Sequence, residues 1–391
     1  MQVQAMKLCL RVITLFYALA ITLNTAQNAP DFAVYWRTAS FFWQGLPVYS
    51  IARDGIMPFK YPPWILPIFL PFGLLPLSIA KISWGILEAS AFVYIIRWLQ
   101  SRVRSSLLIL SLIAFSGLWT VHAFDGQVSL ILLAVGLAFF GKFGKNPLVL
   151  IYALSIKILT LFPIIGVLDI SVQRGELKNV SVPRTILRWT GMAAVVLGLL
   201  SIPALKSHHY DLGEFLRQYR AVTSPGVDSS GSPRVTVRGD QAQGFVSMIF
   251  RVCDLDYRNS VLILVFSMVL ALVLAAFWHC RASRLSMDFQ WAGWLALTAT
   301  LQPLAGFHTF VLAFPLAAMT LERTFAEKAK LRTGLCFFAI LMITAFGQKT
   351  LGHAGLVLQQ LSVKSWGVLF CAFLATIPGD VEKKSQRPFC L

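Results

Sequence analysis

Few residues in this chain are able to do chemistry, and they fall into three polar spots. Asp31 opens the first, in the run Pro30-Asp31-Phe32-Ala33-Val34-Tyr35-Trp36-Arg37. A carboxylate there has two compatible roles open to it, cap of a helix N-terminus and acceptor of a proton in a reaction. The second spot is Asp125-Gly126-Gln127, which reads as a simple turn with a cap or as polar groups held at a helix end. The third is His308, after Gln302-Pro303-Leu304-Ala305-Gly306-Phe307; a lone histidine at a helix start is more often structural than chemical. Glu88 and Lys157 stand inside apolar segments, where charge is costly, so each is a functional candidate or half of a structural pair. Arg217 and Arg220 belong to a group of arginines in a long polar loop, able to hold a phosphate or simply to be solvated. Asp54, Arg53 and Lys60 read as solvated loop residues. No P-loop, zinc-ligand spacing or Rossmann glycine fingerprint is present.

The elements that must position these groups are membrane helices. Hydrophobic residues make up 57% of the 391 and charged ones 13%, against about 25% charged in soluble domains. The mean hydropathy of +0.70 is too apolar for a core surrounded by water. Apolar runs of spanning length recur along the chain, and runs such as Val261–Phe277 lack the alternation of a barrel strand. The formal net charge of +17 does not point to nucleic acid, because Lys and Arg sit in short clusters between apolar segments. The six cysteines form no framework: Cys9, Cys280, Cys336 and Cys371 lie in or beside apolar helices, Cys390 is in the tail, and Cys253 is in the long polar loop.

Charge gives the topology. Lys7 and Arg11 put the N-terminus in the cytoplasm, before an uncleaved first helix at about 8–26. An outer loop with an aromatic, interfacial helix follows, in which Phe32, Tyr35, Trp36, Ala39 and Trp43 recur at helical spacing. The apolar stretch 63–76 is broken by Pro67, Pro71 and Pro76 and reads as a dip into the outer leaflet. Helices are expected at 78–98, 105–121 and 128–141, with a short outer loop His122–Gln127 between the last two. Two half-helices meeting at Lys157 are expected over 147–170, then helices at 189–204, 259–279, 289–302, 309–321, 333–347 and 363–378. The short outer loops 122–127 and 303–308 hold no Lys or Arg, whereas each inner segment holds at least two, which sets the parity. All three polar spots then share the outer face. The whole chain reads as one integral membrane domain, with 27–77 the first outer loop, 205–257 a long outer loop and 379–391 a cytoplasmic tail.

At these residues the chain resembles glycosyltransferase family 87. Asp31-x3-Tyr35, then Gly45 and Tyr49, then Tyr61-Pro62-Pro63, look like that family's first-loop signature. Gly126-Gln127 opening an apolar helix fits the same family, as does Ile156-Lys157 followed by Pro163. The late stretch departs from it. The family's Ser-Pro-x-Ser-Trp-x-His reads here Gln302-Pro303-Leu304-Ala305-Gly306-Phe307-His308, so the proline and histidine remain while the serines and tryptophan do not.

The resemblance implies an all-α, polytopic membrane protein of the GT-C type, with about 10–12 membrane helices including half-helices. It implies a polyprenyl-phosphate sugar donor, mannose by default, and transfer to a hydroxyl of a glycolipid or glycan acceptor by a single inverting displacement. Asp31 maps to the general base and His308 to the group that meets the departing phosphate. Gln127, Tyr35, Tyr61 and Lys157 fall at matching positions; Arg217 or Arg220 is a second choice for the phosphate. No cofactor or metal is implied, because a monophosphate leaving group does not need one as a nucleotide diphosphate often does. The expected location is the inner cell membrane, with the site facing the extracytoplasmic side. The main rival is a transporter or flippase of lipid-linked sugars, which would share the aromatic loop and the buried charges.

Overall fold

A computed structural model of the protein describes residues 2–54, 58–141, 166, 182–223, 242–256, 260–302 and 305–378. Among the described residues every regular element is helical, as a backbone without access to water requires. The helices are α1 (Gln2–Gln27), α2 (Pro30–Trp43), α3 (Leu77–Gln100), α4 (Ser105–Ala114), α5 (Ser116–Asp125), α6 (Ser129–Gly141), α7 (Val182–Ser207), α8 (Leu212–Thr223), α9 (Phe245–Val252), α10 (Ser260–Ala282), α11 (Met287–Leu301), α12 (Phe314–Ala326), α13 (Lys330–Thr344), α14 (Gln348–Gln360) and α15 (Val363–Ala375). The half-helices expected around Lys157 lie outside the described residues, Gly166 apart.

Three helices are long and apolar enough to cross a bilayer alone: Val3–Gln27, Leu77–Gln100 and Val261–Ala282. Three pairs reach that length together but are bent, α4 with α5 by 56°, α7 with α8 by 96° and α14 with α15 by 76°. Leu15 in α1 and Val261 in α10 are 71% and 69% exposed, which would be costly in water and is what a lipid-facing helix needs. The protein is thus an all-helical, multi-spanning membrane protein.

Three expectations are corrected. The single helix at 105–121 is broken at Phe115 and continues to Asp125, so His122–Asp125 is the last turn of α5 and not a loop. It stops there because Gly126 takes φ +69° and its N–H closes on the His122 carbonyl at 3.0 Å. The chain also forms α14, where only a connection between two apolar segments was expected. Third, Asp31 is not an N-cap: α2 begins at Pro30, Ala29 holds the cap position at φ 51°, and no side chain caps the helix.

The core centres on α11, where every residue from Phe289 to Leu301 is buried. Glycine is required at position 293, since a Cβ there would come within 1.9 Å of the Trp278 ring. The indole of Trp278 donates to the Gln290 carbonyl (3.0 Å) and that of Trp291 to the Gly136 carbonyl (2.8 Å), locking α11 against α10 and α6. At one end of the bundle Arg102 pairs with Asp288 (2.9 Å), Arg104 with Glu322 (2.6 Å) and Arg332 with Glu327 (2.6 Å). These pairs join only segments that charge counting assigns to the cytoplasmic face. The proline-broken stretch 63–76 folds as single turns, and α2 lies along it. The Trp36 and Trp43 indoles donate to the Leu75 and Leu70 carbonyls, both at 2.8 Å, tying α2 to this stretch.

Candidate active site

The N-terminus of α2, the α5–α6 turn and the loop after α11 meet at one place. Ala29 donates its N–H to the Phe124 carbonyl at 2.9 Å, docking the start of α2 on the end of α5. The fit is close enough to need glycine at position 126. Besides its positive φ, a Cβ there would come within 2.7 Å of the Ala29 Cβ and 3.0 Å of the Phe32 Cβ. Trp84 of α3 closes the joint, stacking on Phe32 at 5.0 Å and donating its indole N–H to the Gly126 carbonyl at 3.2 Å.

This docking brings the polar spots together. Gln127 donates a side-chain N–H to Asp31 Oδ2. At the other end of the same turn, Asp125 Oδ2 lies 3.3 Å from His308 Nδ1. His308 is held by a short-contact loop: its ring lies over Gly306, where a Cβ would meet Cε1 at 2.6 Å. Asp125 and His308 keep 27% and 18% of their side-chain surface exposed, and Asp31 is half-buried, so the cluster is anchored yet open on one side. Gln127 itself is buried.

An aromatic wall extends from Asp31. Tyr35, one turn along α2, shares a hydroxyl contact of 2.8 Å with Tyr61, and the Tyr61 carbonyl accepts from the Tyr49 hydroxyl at 2.8 Å. Tyr49 in turn packs on Tyr219 of α8 at 5.1 Å between ring centroids. Burial raises the Tyr35 phenol well above its ordinary value, and the neighbouring Tyr61 and Asp31 add to the rise. Burial raises Tyr61 also, reinforced by Asp31 and partly offset by its bond to Tyr35. Both phenols therefore stay neutral beside the carboxylate and act as hydrogen-bond partners.

The other candidates stand apart. Arg217 pairs with Glu214 on the exposed face of α8, and Arg220 is exposed beside it; together with Leu216 and Ala221 they line a shallow surface groove. Arg251 bonds the carbonyls of Ala242 (2.7 Å) and Gln360 (2.9 Å) and the Ser362 hydroxyl (2.8 Å), a structural tie between α9 and α15. Lys157 lies outside the described residues. Glu88 faces Thr25 and His122. Sequence reading missed His122, and it missed Lys364, a buried lysine whose Nζ donates to the Ile343 carbonyl (2.7 Å) and lies 4.8 Å from the Phe307 ring centre. The rule that flagged Lys157, a cation inside an apolar segment, flags Lys364 as well. Among the described residues no group of three or more His, Cys, Asp or Glu is placed to hold a metal ion.

An acid held by an amide, an acid–histidine pair and a wall of neutral phenols can accept one proton, stabilise one anion and bind the hydroxyls of a sugar. No curated protein and no solved structure matches the chain. The model of glycosyltransferase family 87 matches residues 59–305, more than half of the chain. That span contains Tyr61, Asp125 and Gln127; Asp31 and His308 lie beyond its two ends and join it through the contacts with Gln127 and Asp125. The chain is a membrane glycosyltransferase and belongs to glycosyltransferase family 87.

Proposed function

We propose that the enzyme transfers a sugar, mannose by default, from a polyprenyl phosphate to an acceptor hydroxyl, with inversion and on the extracytoplasmic side of the inner cell membrane. The observation that carries this reading is the Asp125–Gly126–Gln127 turn, which holds a carboxylate at one end and a histidine at the other. Asp31 is the base. The Gln127 amide orients its carboxylate and stabilises the charged form, and Asp31 takes the proton as the acceptor oxygen attacks the anomeric carbon. His308 meets the lipid phosphate as the glycosidic bond breaks. Asp125 beside Nδ1 keeps a proton on that nitrogen, so Nε2 is the edge turned to the leaving group. Tyr35 and Tyr61 form the neutral wall against which a sugar ring sits. Arg217 and Arg220, on an exposed helix joined to that wall through Tyr219, are suited to drawing a phosphate from solvent or headgroups. Lys157 is proposed as a further donor-site cation. The acceptor is a glycolipid or glycan, and no cofactor takes part.

The test is incubation of the purified protein in lipid with a panel of polyprenyl-phosphate sugars and acceptors. Release of free polyprenyl phosphate with growth of the acceptor supports the reading. Turnover only with nucleotide-linked sugars would overturn the donor assignment. Movement of the intact lipid-linked sugar without hydrolysis or transfer would favour a flippase instead.

A further inference from the structure

Behind the Asp125–Gly126–Gln127 turn lies a second polar group that the proposed reaction does not use. Glu88 of α3 and Thr25 of α1 are fully buried, and His122 of α5 is 1% exposed. His122 Nε2 accepts the N–H of Leu130, the second residue of α6, at 3.0 Å. That nitrogen therefore carries no proton, and in a neutral ring the proton is on Nδ1. Nδ1 faces Glu88 Oε1 at 3.4 Å, a long contact. The other oxygen of Glu88 lies 2.7 Å from the Thr25 hydroxyl, which is also 3.1 Å from the Ala123 carbonyl.

The positions of the protons follow from counting donors. Ala123 is in the last turn of α5, where carbonyls lack a helical partner, and the Gln127 N–H that would have served it turns to the His122 carbonyl instead. Thr25 has one proton for two contacts, 2.7 Å to Glu88 Oε2 and 3.1 Å to the Ala123 carbonyl; for both to be full hydrogen bonds that proton must go to Ala123, since a carbonyl can only accept. The proton between Thr25 and Glu88 then comes from Glu88 as a neutral acid. The circuit runs by hydrogen bonds from Leu130 N–H to His122, from Glu88 O–H to Thr25 and from Thr25 O–H to Ala123, and is joined by the longer polar contact in which His122 Nδ1–H faces Glu88. Each gap holds one proton and the whole carries no charge, which suits an interior where a bare carboxylate is expensive.

We propose that Glu88, His122 and Thr25 are positioning residues: a neutral bridge of hydrogen bonds and one longer polar contact that clamps the last turn of α5 to the first turn of α6. Those are the two ends of the turn that presents Asp125 to His308 and Gln127 to Asp31. None of the three touches substrate. The inference rests on the reading of that turn as part of the reacting site, and on the circuit for its mechanism.

Two substitutions and one spectrum test it. Glu88→Gln keeps the shape and both interactions, since its carbonyl can face His122 Nδ1–H and its amide can donate to Thr25. Glu88→Leu keeps the size and removes both. Glu88→Gln is expected to hold kcat within about twofold, whereas Glu88→Leu loses on the order of tenfold or more in kcat per folded protein at an unchanged donor KM, as a misplaced catalytic pair would. Infrared spectra of wild-type and Glu88→Gln protein should differ by one carboxylic-acid C=O band, present only in the wild type. Loss of kcat in Glu88→Gln equal to that in Glu88→Leu, or no such band, would overturn the proposal. The band is read without substrate, so it decides the bridge even if the wild-type protein fails to use the proposed donor, and even if Glu88→Leu fails to fold.

Discussion

Asp125 and His308 lie 3.3 Å apart, carboxylate oxygen to ring Nδ1, and they do so across the boundary between the family-matched region and the loop beyond it. A pair of this kind acts as a unit. If His308 meets the departing phosphate, His308→Ala should cost about 10²–10³ in single-turnover rate, the range for losing one donor to a developing anion. Asp125→Asn should cost less, because the ring remains. The double variant should be no slower than His308→Ala alone, since Asp125 acts through the ring. Rates of all four proteins check this; additive losses would mean that Asp125 works independently of His308.

The two phenols beside Asp31 give a prediction with a definite sign. The Tyr35 and Tyr61 values are raised in the folded protein, chiefly by burial. Their contribution to stability is therefore fully present below the ordinary tyrosine value of about 10 and is lost as pH climbs from there through the folded values. Tyr61→Phe removes one such group and one hydrogen bond. At neutral pH it should lower stability by about 1 kcal/mol. On the alkaline side its stability should fall less steeply than that of the wild type. Near neutrality the shape of its pH–rate profile should match the wild type, because neither phenol titrates there. Thermal melts and initial rates across pH measure both.

Much of the site was legible because the chemistry-bearing residues are so few. In a chain with 13% charged residues, Asp31, Asp125, Gln127 and His308 stand out, and the parity of apolar segments puts them on one face. Their pairing was not legible. Gln127 meets Asp31, and Asp125 meets His308, through contacts between distant segments that no local period encodes. The start of α2 was misread for the same reason. Ala29 takes a left-handed conformation at the cap and its N–H is bound to Phe124, a distant carbonyl that fixes the entry of the chain, while Asp31 accepts from Gln127. The end of α5 shows the reverse: Gly126 is visible in the sequence, but the closeness of Ala29 and Phe32, which adds to its positive φ in requiring glycine, is not. Helix α14 escaped notice because Gly352, Gly355, His353 and Gln359 interrupt any apolar stripe.

Sidedness can be read from native thiols. Cys253 and Cys280 are both exposed, the first just after α9 and the second near the end of α10 beside Arg281. Charge counting puts Cys253 outside and Cys280 inside. In intact cells or right-side-out vesicles an impermeant maleimide should label Cys253 and leave Cys280 until the membrane is permeabilised. Single-cysteine variants assign the signal. Labelling of Cys280 first would invert the parity and put Asp31 and His308 on the cytoplasmic face.

Asp31 itself allows the sharpest separation of roles. It lies within the first turn of α2 and accepts from Gln127, and Ala29 rather than Asp31 holds the cap position. A carboxylate in the first turn also complements the helix dipole, worth about 0.3–1 kcal/mol at an exposed site. Asn in its place loses that small term and keeps an oxygen able to accept from Gln127, so the local fold should persist. What Asn cannot do is hold the acceptor's proton near neutral pH. Asp31→Asn should therefore lower the chemical rate by about 10²–10⁴ while the melting temperature and donor affinity stay close to wild type. Asp31→Glu keeps the charge but moves it by one methylene, so it should retain more activity than Asn. A transfer rate near wild type in Asp31→Asn would remove Asp31 from the chemistry. Asp125, two residues from Gln127 on the same turn, would then be the next acid to test as the base.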